Sequence, residues 1–297
     1  MPTVTTATGS TALKHTVAPS APRARPQLPP CRIAVLGSGT MGRAIATGIV
    51  QAGVLTPDRL VVSDKTSDVA LALAQDLGLT GPYDNATACV NADVVLLCVK
   101  PADVATVLDE LVQSEAIAHA PLLISIAAGV RIRALTHCTS GRMPVIRAMP
   151  NTACRIGCGM TVLTRGTLAT ESHLDIARAL FGTLGRSMVL DERHFDAVTA
   201  VSASGPAFIY VLLEAIAEGG VMCGLSRAVA TELAAQMALG ACEMVLTTGR
   251  HPAALKEEVT TPAGCTIAGL LALEDGRVRS VLARAIQTTA QVAAGLK

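Results

Sequence analysis

The sequence predicts a chain in two parts: an α/β, doubly wound parallel sheet up to residue 190, then an all-helical region. Three observations predict this. Between residues 31 and 190, short apolar runs of strand length alternate with stretches of helical periodicity, which is the pattern of βαβ units. After Asp191-Glu192 the alternation stops, and Ala, Leu and Val recur at helical spacing to the C-terminus. Hydrophobic residues make up 51% of the 297-residue chain but aromatics only 2%, with no Trp. Such a core is aliphatic and suits close-packed helices and α/β layers better than a β-sandwich. The expected boundaries are a tail over residues 1–30, an α/β domain over 31–190 and a helical domain over 191–297.

Residues 1–30 are rich in Thr, Ala and Pro, carry Lys14, His15, Arg23 and Arg25, and contain no acid. That composition predicts a disordered tail. The same acid-free, Arg-bearing stretch also fits an organellar transit peptide, although its prolines argue against an amphipathic helix.

From Cys31 the texture changes. Arg32–Leu36 is a buried-strand run, followed by Gly37-Ser38-Gly39-Thr40-Met41-Gly42 and a helical pattern through Ala52. G-x-G-x-x-G is a weak motif alone and a strong one between a strand and a helix. There Gly37 permits the tight turn, Gly39 lets a pyrophosphate approach the backbone, and Gly42 lets the helix sit close to the strand. This is the fingerprint of a Rossmann dinucleotide site. Strand Leu60–Ser63 runs into Asp64-Lys65. An acid about 20 residues beyond the glycines suits the ribose hydroxyls of NAD, whereas Ser63 and Lys65 suit the 2′-phosphate of NADP. Both coenzymes stay open.

A helix over Asp68–Leu77, a short strand near Leu79–Tyr83 and a helix from Asn85 to about Ala92 are expected next. Strand Asp93–Val99 leads into Lys100-Pro101. Ligands of open α/β sheets bind beyond the carboxyl ends of the strands, so Val99, Lys100 and Pro101 face the cofactor. Lys100 is either a catalytic lysine or a contributor of backbone and ribose contacts. Strand Leu122–Ala127 ends in Ala127-Ala128-Gly129, small residues that let backbone approach a ligand. Strand Met143–Ala148 ends in Met149-Pro150-Asn151-Thr152. Met160–Leu163, helix Glu171–Leu184 and Ser187–Leu190 complete the sheet. Beyond it, helices are expected at Phe195–Ser202, from Ala207 to Gly220 after a break at Ser204-Gly205-Pro206, and at Ser226–Thr247, Ile267–Leu273 and Val278–Ala294. A small helical domain so rich in Ala and Leu buries part of its surface against a second copy.

The stretch with the most chemistry per residue is Leu255–Glu274. A polar lead-in meets Thr260-Thr261-Pro262, then Ala263-Gly264-Cys265-Thr266 opens an apolar helix. A small-residue turn at a helix N-terminus leaves backbone N–H groups free to bind a carboxylate or phosphate, with the Thr266 hydroxyl beside them. Thr-Thr-Pro ahead of a helix is equally an ordinary N-terminal cap.

The remaining composition narrows the function classes. A net charge of +1 gives no electrostatic reason to expect nucleic acid. No apolar run is expected to reach membrane-span length, since the most apolar helix, Ala207–Ala217, carries Glu214. Nine scattered cysteines, an odd number without CxxC pairs, fit free thiols in a reducing compartment and predict no metal site. His173, His194 and His251 lie in polar, helix-flanking contexts, and no Ser/His/Asp or Cys/His constellation stands out.

Several blocks in order make the chain from Arg32 onward resemble the pyrroline-5-carboxylate reductase family. They are the glycine loop at 37–42, Val99-Lys100-Pro101, Arg147-Ala148-Met149-Pro150-Asn151-Thr152, Ser202-Ala203-Ser204-Gly205-Pro206-Ala207, and above all Val259–Glu274. The family usually has Gly-Gly where this chain has Ala263-Gly264, and Thr or Ala at Cys265. A side chain at 263 implies a negative φ there.

The resemblance implies a Rossmann domain and a helical domain that intertwines with its partner in a homodimer, itself assembling into a larger ring in the cytoplasm. It implies NAD(P)H-dependent reduction of L-1-pyrroline-5-carboxylate to L-proline, the last step of proline biosynthesis. Gly264, Cys265 and Thr266 would hold the substrate carboxylate and Glu192 the ring nitrogen, with Thr266 and Glu192 as the catalytic pair; Glu192 also reads as a plain first-turn helix acid. NADPH or NADH contacts would fall on Leu36, Gly37, Ser38, Gly39, Thr40, Met41, Gly42, Ser63, Lys65, Asn85, Val99, Lys100, Pro101 and Ala128. Two other readings keep the architecture: a β-hydroxyacid dehydrogenase using Lys256, and a non-catalytic NAD(P)-binding regulator.

Overall fold

The chain's fold is given by a computed structural model that describes residues 28–81 and 83–295. Most of the expected tail, residues 1–27, lies outside the described residues.

Strand β1 (Ile33–Leu36) leads through the glycine loop into helix α1 (Thr40–Gln51), and β2 (Leu60–Ser63) into α2 (Ser67–Leu77). The expected strand near Leu79–Tyr83 does not form among the described residues. Gly78 ends α2 at φ 65°, Gly81 sits at φ 118°, and Tyr83 makes one long 3.4 Å bond to the Val62 carbonyl, so the segment has no run of extended backbone to pair. Asp84 starts α3 (Asn85–Cys89) by accepting from the Thr87 amide at 2.7 Å. That bond, with a second from the Thr87 hydroxyl, holds the Asp84 carboxyl below its ordinary pKa.

Strand β3 (Val94–Leu97) precedes α4 (Val104–Gln113), and β4 (Leu122–Ser125) precedes α5 (Ile132–Cys138). Neither α4 nor α5 is among the expected helices, although α4 buries Val104, Val107, Leu108 and Leu111 at helical spacing; α5 is a short helix that buries only Leu135. Next come β5 (Val145–Met149), β6 (Gly159–Arg165), α6 (Glu171–Gly182) and β7 (Gly185–Val189). The strand order is β2-β1-β3-β4-β5-β6-β7. Strands β1 to β4 are buried along their whole length except Val61, and layers of buried Ile, Leu, Val and Ala cover both faces of the sheet. Each fully buried Ile, Leu or Val side chain contributes about 1.5–3 kcal/mol.

The sheet is not parallel throughout. Strand β6 pairs antiparallel with β5, and β7 runs parallel to β6, so the last two strands oppose the first five. The reason is the short β5–β6 link, residues 150–158, whose one helical turn is the 3₁₀ segment Thr152–Ile156. A parallel return needs a crossover of a dozen residues or more, which this link cannot supply.

Beyond β7 the described residues are helical: α7 (Phe195–Val198), α8 (Gly205–Met222), α9 (Arg227–Thr248), α10 (Pro252–Glu258), α11 (Cys265–Asp275) and α12 (Val278–Gly295). The expected break at Ser204-Gly205-Pro206 is a continuation. A π-helical turn, Thr199–Ala203, joins α7 to α8, closed by the Ser204 amide on the Thr199 carbonyl at 2.8 Å, and Pro206 sits in the first turn of α8 where its missing N–H costs nothing.

Helices α8 and α9 pack on each other and expose much of their apolar surface, including Tyr210, Val211, Leu233, Met237 and Leu246. Residues 192–222 and 227–248 are long and apolar enough to cross a bilayer by length and composition, with 11% of an apolar 18-residue window in each buried. This corrects the expectation that no apolar run reaches that length. Glu214 and its like are too few to break the helices' hydropathy.

Candidate functional site

The glycine loop is formed by collisions it avoids. At Gly37 φ is 97°, and a Cβ there would lie 2.8 Å from the Cys98 carbonyl. A Cβ on Gly42 would run into the Gly37 carbonyl oxygen, so only glycine lets α1 sit down on the loop. Gly39 has nothing within 4 Å on its side-chain side, the one open approach. The loop is then tied to β2. The Gly37 amide and the Ser38 hydroxyl both donate to the Ser63 carbonyl, at 2.9 and 3.0 Å, and the Ser38 amide donates to Asp64 Oδ2 at 2.8 Å. The N-terminus of α1 has no side-chain cap and no acid in its first turn, so its amides are left for an anion.

Two cavities flank this loop. One of about 250 Å³ is lined by Gly37, Gly39, Asp64, Lys65, Asn85, Val99 and Lys100. The other, about 480 Å³, is lined by Ser38, Gly39, Thr40, Arg43, Thr47, Val69 and Arg155. Together they hold most of the expected coenzyme residues, and the open backbone at Gly39 fits a dinucleotide phosphate. Lys100 is exposed and caps the 3₁₀ turn Pro101–Asp103 with its carbonyl. Met41 and Ala128 are half-buried against apolar clusters. Leu36 and Gly42 shape the loop from behind, Leu36 as a fully buried core residue.

Ser63 is also buried, and its hydroxyl donates to Asn85 Oδ1 at 2.8 Å while Asn85 Nδ2 donates to Glu110 at 3.0 Å. These two expected contact residues therefore brace the loop floor. Lys65 pairs with Asp103 at 3.1 Å in an exposed position. Asp64 accepts a second amide, from Thr66 at 2.9 Å, so its carboxylate serves the loop before any ribose. Arg155, which the sequence reading passed over, brings an exposed cation to the phosphate side. No spacing rule flags it, since it arrives on a separate 3₁₀ turn packed against α1. Burial pushes the thiol of neighbouring Cys98 up to about 12 and so favours its neutral form.

The second half of the expected site is the turn ahead of α11. The Gly264 amide donates to the Thr261 carbonyl at 3.0 Å, closing a tight turn with Pro262 second and Ala263 third. Ala263 has φ 56°, not the negative value expected. Proline in second place and positive φ in third is the type II turn, and it forces the alanine into the left-handed region at a cost of about 1–2 kcal/mol. At Gly264 a Cβ would strike the Thr261 hydroxyl, which would have to turn away to admit it. Helix α11 has no side-chain cap and no acid in its first turn, and the Thr266 hydroxyl has no partner among the described residues. The chemistry offered is backbone N–H groups, the Thr266 hydroxyl and the exposed Cys265 thiol, and the amides with the hydroxyl suit a small carboxylate.

Glu192 lies elsewhere. Its Oε1 accepts from the Ile132 amide at 2.8 Å and from Arg147 Nη1 at 3.1 Å. It lines a cavity of about 410 Å³ with Arg131, Arg147, Asp191, Arg193 and Asp196, to which no residue of the 264–266 turn contributes. Lys256, the alternative catalytic lysine, is paired with Glu257 at 2.8 Å.

Fold and site define an oxidoreductase of the nicotinamide-dinucleotide class, with the coenzyme cradle in the sheet domain. Residues 192–296 match the family model described as pyrroline-5-carboxylate reductase dimerisation, and residues 32–129 match that described as NADP oxidoreductase, coenzyme F420-dependent. A pyrroline-5-carboxylate reductase of Schizosaccharomyces pombe is 41% identical over 88% of this chain and 98% of its own length. One from Arabidopsis thaliana is 38% identical over 88% and 93%. Among solved structures, the Coxiella burnetii pyrroline-5-carboxylate reductase superposes with TM-score 0.84 at 29% identity, covering 90% of this chain and 98% of the other. The Plasmodium falciparum pyrroline carboxylate reductase with NADP bound gives 0.81 at 25% identity, covering 91% and 99%. The chain belongs to the pyrroline-5-carboxylate reductase family.

Proposed function

We infer that this chain reduces L-1-pyrroline-5-carboxylate to L-proline with NAD(P)H, the closing step of proline biosynthesis. The observation that carries the reading is the uncapped N-terminus of α11, whose first-turn amides are left for an anion, in a chain that also holds an open dinucleotide cradle. The coenzyme supplies hydride to the C=N carbon when bound along Gly37–Met41. The chain's own residues bind and orient. The amides of Gly264–Thr266 and the Thr266 hydroxyl grip the carboxylate, so one face of the ring is presented. Glu192 supplies a negative charge toward the ring nitrogen. A protonated imine needs neither a metal nor a side-chain nucleophile to accept hydride.

Division into residues 31–190 and 191–297 assigns coenzyme to the first part and carboxylate to the second. The exposed faces of α8 and α9 are covered by a second copy, and the homodimer builds a larger ring. Because the cavity at Glu192 takes no residue from the 264–266 turn among the described residues, we place the complete site where two copies meet. Nine free cysteines support a reducing, cytoplasmic setting. The test is to follow NADPH and NADH oxidation by the purified chain with pyrroline-5-carboxylate, then β-hydroxyacids with NAD(P)⁺. Imine-dependent oxidation is expected; its absence with both coenzymes rejects the reading.

A further inference from the structure

We propose that Arg147 is a positioning residue for the imine site, acting through Glu192; the proposal rests on the reading of Glu192 given above. Arg147 enters on β5, and its side chain is 3% exposed. Its guanidinium lies 4.6 Å from the centre of the Phe195 ring, and Phe195 is fully buried. Its Nη1 holds Glu192 Oε1 at 3.1 Å, and the Ile132 amide holds the same oxygen at 2.8 Å. Both donors belong to the sheet domain, while Glu192 opens the 3₁₀ turn that leads into the helices. Two bonds on Oε1 set the direction of the carboxylate. Oε2 accepts from no donor among the described residues, so it is the oxygen left for a ring N–H.

Neighbouring cations are placed differently. Arg131 and Arg193 are 66% and 77% exposed and lie 4.0 and 3.9 Å from Asp196 and Asp191. Screened by water, they cannot hold a direction as the sealed, stacked Arg147 does. Arg147 Nε is buried with no partner, an unusual cost for a residue kept only for packing. A planar fork on an aromatic face that also carries charge to one oxygen is a task lysine performs poorly.

The test is a double-mutant cycle on the full chain with R147Q, E192Q and both, read on kcat/KM for the imine and on the proline Kd by calorimetry. Arg147→Gln is expected to lower kcat/KM roughly 100-fold with the NADPH KM unmoved, and the double variant to be no worse than Glu192→Gln alone. Arg147→Lys should recover only part of the loss. Losses that multiply in the double variant overturn the proposal, as does an R147Q that loses thermal stability alone. Should R147Q fail to fold, F195L takes its place in the cycle, and multiplying losses there overturn it equally. A wild-type chain without turnover counts against the reductase reading, while the cycle on proline affinity still judges Arg147.

Discussion

The glycine loop and the 261–266 turn begin alike and finish differently. Each ends in an extended glycine, Gly39 or Gly264, at the N-cap of a helix with no side-chain cap and no acid in its first turn. Both therefore expose backbone N–H groups to an anion. Yet the glycine loop is pinned on three sides, by β1 before it, by the Cys98 carbonyl just past β3, and by Ser63 and Asp64 at the end of β2. Ser38 within it is 1% exposed. The second turn leans mainly on α12 through α11, and Thr261, Pro262, Ala263 and Cys265 are all exposed. The same local device is braced on several sides in the first case and left open in the second. An anion site is thus a property of a few residues, but its rigidity is a property of what surrounds them.

That contrast can be broken most sharply at Gly42. Gly42→Ala is expected to lower NADPH affinity roughly 100-fold in a fluorescence titration, because α1 must lift off the loop. An unchanged Kd would mean the loop is looser than its contacts indicate. On the other side, Thr266→Ala should raise the KM for the imine about tenfold, the worth of one hydrogen bond to a charged group, and leave NADPH binding alone. Equal losses for both ligands would take the turn out of the substrate site.

A smaller effect tests how far the loop's bracing also selects the coenzyme. Asp64→Asn removes a charge near the ribose and one of two amide acceptors, so both coenzymes should bind less well and the NADPH/NADH preference should rise roughly threefold. A constant ratio would leave Asp64 with the Ser38 and Thr66 amides alone. Smallest is Ala263→Gly. Relief of about 1–2 kcal/mol of left-handed strain, less glycine's entropic cost of about 0.5–1 kcal/mol, should stabilise the chain by about 0.5–1 kcal/mol in urea unfolding. A loss of stability would show that the turn prefers its alanine.

Much of this was legible from local pattern. The G-x-G-x-x-G loop between strand and helix, the four apolar strand runs from Arg32 to Ala127, and the Val259–Glu274 signature each carry their meaning within a few residues, because steric demands on glycine and burial of alternate faces act at short range. Arg147 was visible only as one letter of a family motif. Its ion pair joins residues 45 apart in sequence and its partner's other donor, Ile132, lies 60 away, on a helix with no sequence signal of its own.

Backbone chemistry written in neighbouring residues was enough to read a glycine loop between strand and helix, a helical second half and a small-residue turn opening an uncapped helix. Packing alone settled that β6 and β7 reverse direction, that the Ser63 hydroxyl bonds to Asn85, that Ala263 takes a positive φ, and that Glu192 is held by a buried arginine. Those outcomes depend on which distant segments arrive at the same place, and distance along the chain carries no such information.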